Sequence, residues 1–134
     1  MIAMFHAALA LLAAPLSPSE EWHCDNPQAQ MEMNACAAID FERADAQLNA
    51  EYRRAIASAR DADREFDGAG DRRPGDEATL REAQRAWVAF RDAQCRLEGY
   101  EARGGSMEPM LYEGCRARLT RERIRQLNPE PLGR

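Results

Sequence analysis

The sequence predicts an all-α protein, either a small antiparallel helical hairpin or a bundle of three to four helices stabilised by two disulfides. Three observations predict this fold class. Apolar residues recur at three- and four-residue spacing, which places them along one side of a helix. No segment alternates apolar and polar residues with the period of two that is typical of a strand. Four cysteines follow an early apolar run, a combination typical of short exported domains.

The N-terminus carries the uncharged run AALALLAA, which has the length of a signal-peptide core and is too short to span a membrane. We expect a signal peptide over residues 1–19, with cleavage after Ala14 or Ser19, and a single helical domain over 20–134. A buried N-terminal helix is the alternative. No lipid-attachment sequence precedes Cys24. The sequence therefore predicts a periplasmic or secreted protein without a membrane span.

The first predicted helix begins at Asn26-Pro27, because Asn is a good cap and Pro suits the first helical position. Neither Gly nor Pro occurs between Gln28 and Phe66. An unbroken helix of that length would measure about 58 Å, so either the molecule is elongated or the helix bends near Cys36. Its apolar stripe consists of Ala38, Phe41, Leu48, Tyr52, Ile56 and Ala59.

Glycine and proline then mark a loop over residues 67–76. A second helix follows from about Glu77 to Ala102. We expect its core face to contain Leu80, Ala83, Trp87, Phe90 and Leu97.

Gly104-Gly105 ends the second helix, and Ser106 is placed to cap a third helix with Pro109 in its first turn. Asn128-Pro129 ends this third helix. Its apolar side contains Leu111, Tyr112, Cys115, Leu119 and Leu127.

Helix geometry favours one pairing of the four cysteines. If the second and third helices form a hairpin, Cys95 lies about 13 Å from the turn and Cys115 about 10 Å, so the two are level. Cys36 and Cys95 are not level across the first hairpin. Elimination leaves Cys24–Cys36 and Cys95–Cys115. The wide cysteine spacing argues against zinc, and we expect no metal and no cofactor.

The charge pattern gives no sign of nucleic-acid binding. The formal net charge is −5, and all eighteen basic residues are Arg, interleaved with 23 acidic residues, so no basic stripe is present. Beyond the predicted signal peptide His23 is the one histidine, and no metal cluster, phosphate loop or nucleophile motif occurs. We therefore predict no catalytic residues and a non-enzymatic function.

Several polar residues fall within the apolar stripes of the first two helices. We interpret Asn34, Asp45, Gln84 and Arg91 as an internal polar network, since a buried carboxylate must be paired; a binding role is the alternative. Gln94 lies in the same stripe as Gln84. Three partners for Asp45 stay open: Arg91, Arg116 and Arg123.

Two loops are candidates for partner contact. Gly104-Gly105-Ser106 is either simple helix punctuation or a tip that is presented to a partner. The charged loop over residues 67–76 is either a connector or a recognition loop.

The combined spacing of several motifs resembles the LprI-type lysozyme-inhibitor domain family from about Cys24 to Leu127. The resemblance implies an exported helical domain with paired cysteines that binds a protein partner, namely lysozyme. The motifs are Glu32-Met33-Asn34-x-Cys36-Ala37, Ala44-Asp45-x-x-Leu48-Asn49-x-x-Tyr52, Leu80-x-x-Ala83-Gln84-Arg85-Ala86-Trp87, Phe90-Arg91-Asp92-x-x-Cys95, Gly104-Gly105-Ser106, Cys115 and Leu119-Thr120-x-x-Arg123.

Three functional hypotheses follow. The first is a periplasmic or secreted inhibitor of lysozyme or of a related muramidase. The second is a structural or interaction module of the cell envelope without lysozyme activity. The third is a hydrolase that uses carboxylates outside known motifs. The sequence leaves the oligomeric state open.

Overall fold

Three α-helices dominate the computed structural model, which describes residues 22–128. They are α1 (Gln30–Glu65), α2 (Asp76–Gly99) and α3 (Glu108–Leu127), and a single 3-10 turn, Tyr100–Ala102, extends the end of α2. No strand occurs within residues 22–128. The all-α fold class is confirmed, with three helices. The predicted signal peptide and its cleavage position lie outside the described residues.

The helices run up, down and up. Arg60 near the end of α1 pairs with Glu77 at the start of α2, so these two helices are antiparallel. Asn34 near the start of α1 bonds to Ser106 just before α3, so α1 and α3 are parallel. α1 is one continuous helix of 36 residues, about 54 Å long, and it is not interrupted at Cys36.

The start of α1 differs from the prediction at Asn26-Pro27. The helix begins at Gln30, after Ala29 in the cap position. The Glu32 carboxylate accepts hydrogen bonds from the backbone N–H groups of Gln28 and Ala29 at 2.7 and 3.2 Å, and these bonds lower the pKa of Glu32. A side chain in the first turn therefore satisfies the free donors that Asn26 was expected to satisfy.

The fully buried part of the described chain is small. It is centred on the Cys95–Cys115 disulfide, in which Cys95 is 0% exposed and Cys115 2%. The second disulfide joins Cys24 to Cys36 and ties the segment before α1 back onto that helix. Both predicted pairings are confirmed. The other buried residues are Phe41, Ala44, Leu48, Ile56, Arg91, Ala117 and Thr120, together with Gly99.

The predicted core face of α2 is wrong for three residues. Phe90 is 56% exposed and Leu97 63%, and Ala83 is also exposed. The reason is the disulfide, because burying Cys95 fixes the rotation of α2. Residues five apart on an α-helix point about 140° apart, so Phe90 is turned outward when Cys95 is turned inward.

The end of the molecule farthest from the disulfides is held by polar contacts. The Asp63 carboxylate on α1 accepts hydrogen bonds from the backbone N–H groups of Asp76 and Glu77 at 2.6 and 3.1 Å. It thereby caps α2 from another helix. Hydrogen bonds from Arg60 and Arg81 lower the pKa of Glu77 to about 2.

The cap requires glycine at position 75. A Cβ atom on Gly75 would lie 2.6 Å from the Asp63 carboxylate, although the backbone φ of −69° itself suits any residue. We expect Asp63→Ala and Gly75→Ala each to lower the free energy of unfolding by about 1 kcal/mol through loss of the cap. Urea denaturation of both variants measures this effect.

The matched double variant separates steric from conformational effects. Once Asp63 is removed, Gly75→Ala meets no obstacle, and we expect it to be neutral or slightly stabilising because it reduces the freedom of the unfolded chain. Additive losses in the double variant would contradict this account of the cap.

The two disulfides differ in burial, and we expect their removal to have unequal effects. They close loops of 12 and 20 residues, so chain entropy predicts about 3 kcal/mol for each. Replacing Cys95 and Cys115 by Ala also leaves a void in the core. Urea unfolding is expected to show a larger loss for this pair than for Cys24 and Cys36, and an equal or reversed order would be evidence against the disulfide-centred core.

Candidate functional site

The candidate partner-binding site is the turn end of the bundle, which we define as residues 100–107 with the adjoining starts of α1 and α3. Both disulfides lie near this end. The chain passes from the 3-10 turn into α3 through Gly104, Gly105 and Ser106, which were predicted from the sequence as a candidate partner-binding tip. All three are exposed.

The turn is fixed by its own backbone and by Glu108. Gly104 has a φ of +78°, a conformation that favours glycine, and its N–H donates to the Glu108 carboxylate at 2.6 Å. The N–H of Gly105 donates to the carbonyl of Ala102 at 2.8 Å. The predicted cap at Ser106 is wrong: Met107 occupies the cap position without a side-chain cap. The N–H of Glu108 donates to the carbonyl of Gly105 at 3.3 Å, and Pro109 has no N–H, so neither donor that a Ser106 cap would satisfy is free.

Asn34 fastens the turn to α1. Its side-chain amide donates to the carbonyl of Ser106 at 2.9 Å, and its side-chain oxygen accepts from Gln30 at 2.9 Å. The structure therefore places Asn34 at the turn end, apart from the other three residues of the predicted polar network. The contact joins residues 72 positions apart, so no local sequence signal could have revealed it.

An open groove of about 510 Å³ lies beside the turn. Its glycine lining consists of Gly99, Gly104 and Gly105, and Pro109 and Tyr112 supply apolar surface. Arg96 and Glu108 add one charge of each sign. The groove can accept a narrow apolar group with a polar edge.

Exposed apolar side chains surround the turn end. Met31 is 68% exposed and Met107 42%. Tyr100 is also exposed, and the Arg103 guanidinium lies over its ring at 4.4 Å from the centroid. Because methionine and tyrosine adapt well to a facing surface, this composition is typical of a protein-contact region.

Behind this end, Arg91 is the central buried charge. It is 4% exposed, and its guanidinium lies 3.1 Å from the Asp45 carboxylate, 2.9 Å from that of Asp92 and 3.3 Å from the Thr120 hydroxyl. Of the three arginines that the sequence left open as partners of Asp45, Arg91 is the one that pairs with it in the structure. The rings of Phe41 and Trp87 each lie 5.1 Å from the guanidinium.

Arg116, which the sequence left open as a partner of Asp45, instead forms a second layer beside the Arg91 group. Its guanidinium lies 3.6 Å from the centre of the Phe41 ring and pairs with Asp92 at 3.4 Å and Glu113 at 3.1 Å. The pairing of Glu113 with Arg116 has helical spacing, which is the one signal by which the sequence could have revealed that contact. Thr120 carries no such signal.

Gln84 lies apart from Asp45 and instead accepts a hydrogen bond from Arg123 at 3.0 Å. Burial lowers the pKa of Arg123, whose guanidinium lies 5.9 Å from the Trp87 ring. The Trp87 ring thus lies near the guanidinium groups of both Arg91 and Arg123. These contacts are internal and leave Arg91 no open side for a ligand.

Other features of residues 22–128 concern metal binding, membrane insertion and the second candidate loop. His23 is exposed beside Cys24. Within that range no group of three or more His, Cys, Asp and Glu side chains is arranged to hold a metal ion. None of the helices described is long and apolar enough to cross a membrane. The loop over residues 67–76 borders a wide, open depression at the opposite end of the molecule, with Arg73 paired to Asp71 at 2.7 Å.

The contacts of Arg91 predict unequal losses of stability for two substitutions. Removing the guanidinium in Arg91→Leu leaves two carboxylates and the Thr120 hydroxyl without their donor, and we expect a loss of about 3 kcal/mol in the free energy of unfolding. In Asp45→Asn we expect a loss below about 1 kcal/mol, because that carboxylate is 36% exposed and Asp92 still pairs with Arg91. Urea denaturation compares the two, and losses of similar size would contradict the central role of Arg91.

Comparison with known proteins identifies the family of this chain. The family model described as "Lysozyme inhibitor LprI" matches residues 24–127, a range that begins at the first cysteine and ends at the last residue of α3. The uncharacterised protein R02472 of Rhizobium meliloti (strain 1021) is 44% identical over 124 residues, which cover 90% of this chain and 89% of that protein. No solved structure matches. The chain belongs to the LprI lysozyme-inhibitor family.

Proposed function

We propose that this protein is exported to the periplasm or beyond and inhibits a lysozyme by binding it through the turn end. Membership of the LprI family supports the inhibitory function. The two disulfides support export, because such bonds persist in oxidising compartments.

The observation that carries the proposal is the fixed conformation of an exposed, narrow turn. Asn34 holds the Ser106 carbonyl and Glu108 holds the Gly104 N–H, while the side chains of Ser106 and Met107 face solvent. A segment that is already ordered loses little entropy on binding. Two glycines followed by serine also make the turn slender enough to enter a substrate cleft.

The negative net charge of this protein supports association with a cationic enzyme. The net charge of −5 attracts a cationic partner and increases the association rate at low ionic strength. Inhibition then requires no catalytic step from this protein, because a turn that occupies the substrate cleft of lysozyme excludes the polysaccharide substrate. The proposal therefore implies that the binding partner is a protein and not a small-molecule substrate.

A lysis assay tests the proposal directly. We expect the oxidised protein, in micromolar excess, to slow the clearing of a cell-wall suspension by lysozyme at low salt, and added salt to weaken the effect. In Ser106→Arg, a long charged side chain on the turn is expected to raise the inhibition constant by about tenfold or more.

Ala69→Arg is the matched control, because it adds the same side chain to an exposed loop at the opposite end. We expect it to inhibit as well as the unmodified protein. Equal weakening by both variants would exclude the turn as the contact. Complete absence of inhibition by folded, oxidised protein would instead favour the alternative of an envelope interaction module.

A further inference from the structure

We propose that the outer face of α2 binds a second copy of this chain, with the two helices antiparallel. This inference goes beyond the proposed function and does not depend on it. The face is a line of six exposed residues, separated alternately by four and three positions: Thr79, Ala83, Ala86, Phe90, Ala93 and Leu97.

The spacing is that of a seam between two packed helices. Alternating intervals of three and four residues keep side chains on one line along a helix that contacts another helix. α2 uses a different side, with Trp87, Arg91 and Cys95, to contact its own core. Phe90 and Leu97 lie on a common line and are 56% and 63% exposed, so they form an apolar surface outside the core of the monomer.

Side-chain sizes favour a second copy in antiparallel orientation. With the twofold axis level with Val88, Phe90 of one copy lies opposite Ala86 of the other, and Leu97 lies opposite Thr79. Each large side chain then meets a small one, as close packing requires. A parallel pair would place Phe90 against Phe90 and Ala86 against Ala86, which leaves gaps between the alanines.

Charge complementarity supports the same register. Glu82 and Arg96 flank the seam along one edge and are both exposed. Neither forms a salt bridge within the described part of the chain. In the antiparallel pair Glu82 faces Arg96 of the second copy, and symmetry produces this contact twice. A surface that is complementary to itself is the property that a homodimer requires.

The size of the face predicts a weak dimer. The seam runs from Thr79 to Leu97 and is therefore about 27 Å long. A contact strip about 10 Å wide on each copy buries on the order of 500 Å² in total, which is less than the ~1,000 Å² that a stable interface needs. We therefore expect a concentration-dependent equilibrium with a dissociation constant in the micromolar range.

Sedimentation equilibrium of the oxidised protein, from about 1 µM to about 1 mM, tests the proposal. We expect the average mass to rise from one chain towards two. Phe90→Glu is expected to raise the dissociation constant by about tenfold or more. Phe66→Glu is the matched control, because Phe66 is 65% exposed but lies outside the face, and this variant is expected to dimerise normally.

Charge exchange tests the register. We expect Glu82→Arg and Arg96→Glu each to weaken the dimer, and an equimolar mixture of the two variants to restore it. In the mixed pair the introduced arginine of one copy meets the introduced glutamate of the other, while the unaltered Arg96 and Glu82 also face each other. Circular dichroism verifies that all variants stay folded. Failure of the mixture to recover would overturn the antiparallel register.

A monomer at every concentration would overturn the proposal as a whole. If the protein were monomeric and Phe90→Glu abolished lysozyme inhibition, this face would bind lysozyme and the proposed dimer would be wrong. Loss of dimerisation in Phe90→Glu with unchanged inhibition would support the proposal. The lysis assay therefore tests the proposed inhibition and the sedimentation measurement tests the proposed dimer, and either result can be negative without the other.

Discussion

The Cys95–Cys115 disulfide is the constraint on which the rest of the structure depends. Residues 22–128 bury few apolar side chains and therefore gain limited stability from burial alone, and two of those side chains are the half-cystines themselves. The bond fixes the distance between α2 and α3 and the rotation of α2. That rotation turns Arg91 inward and Phe90 outward, so one covalent link determines both the buried polar group and the exposed apolar face.

Arg91 is a charged side chain in the buried part of the bundle, where apolar side chains are usual. Its guanidinium contacts all three helices, through Asp45 on α1, Asp92 on its own helix and Thr120 on α3. Because hydrogen bonds are directional, this group specifies the relative position of the helices more narrowly than apolar contacts of the same area. Arg116 adds a further tie between Phe41 and α3.

Much of the fold could be predicted because local chemistry determines it. Glycine and proline delimit the helices, and the rise of the α-helix makes Cys95 level with Cys115. The face of α2 could not be read from apolar residues, since Trp87 and Phe90 lie on two different stripes that are both apolar. Cys95 marks the inner stripe, because a cysteine that is bonded to Cys115 must face α3. The candidate site was only partly visible: Gly104-Gly105-Ser106 stood out by composition, but the role of Asn34 depends on a fold that brings residues 34 and 106 together.

The ends of the molecule are secured by different chemistry. Covalent bonds brace the turn end, while the carboxylate of Asp63 and the Arg60–Glu77 pair hold the opposite end. Thiol reductants and ionic strength therefore act on different halves of one bundle. In an oxidising, salty environment the far end opens first by local fraying, and the end proposed to contact the enzyme keeps its shape.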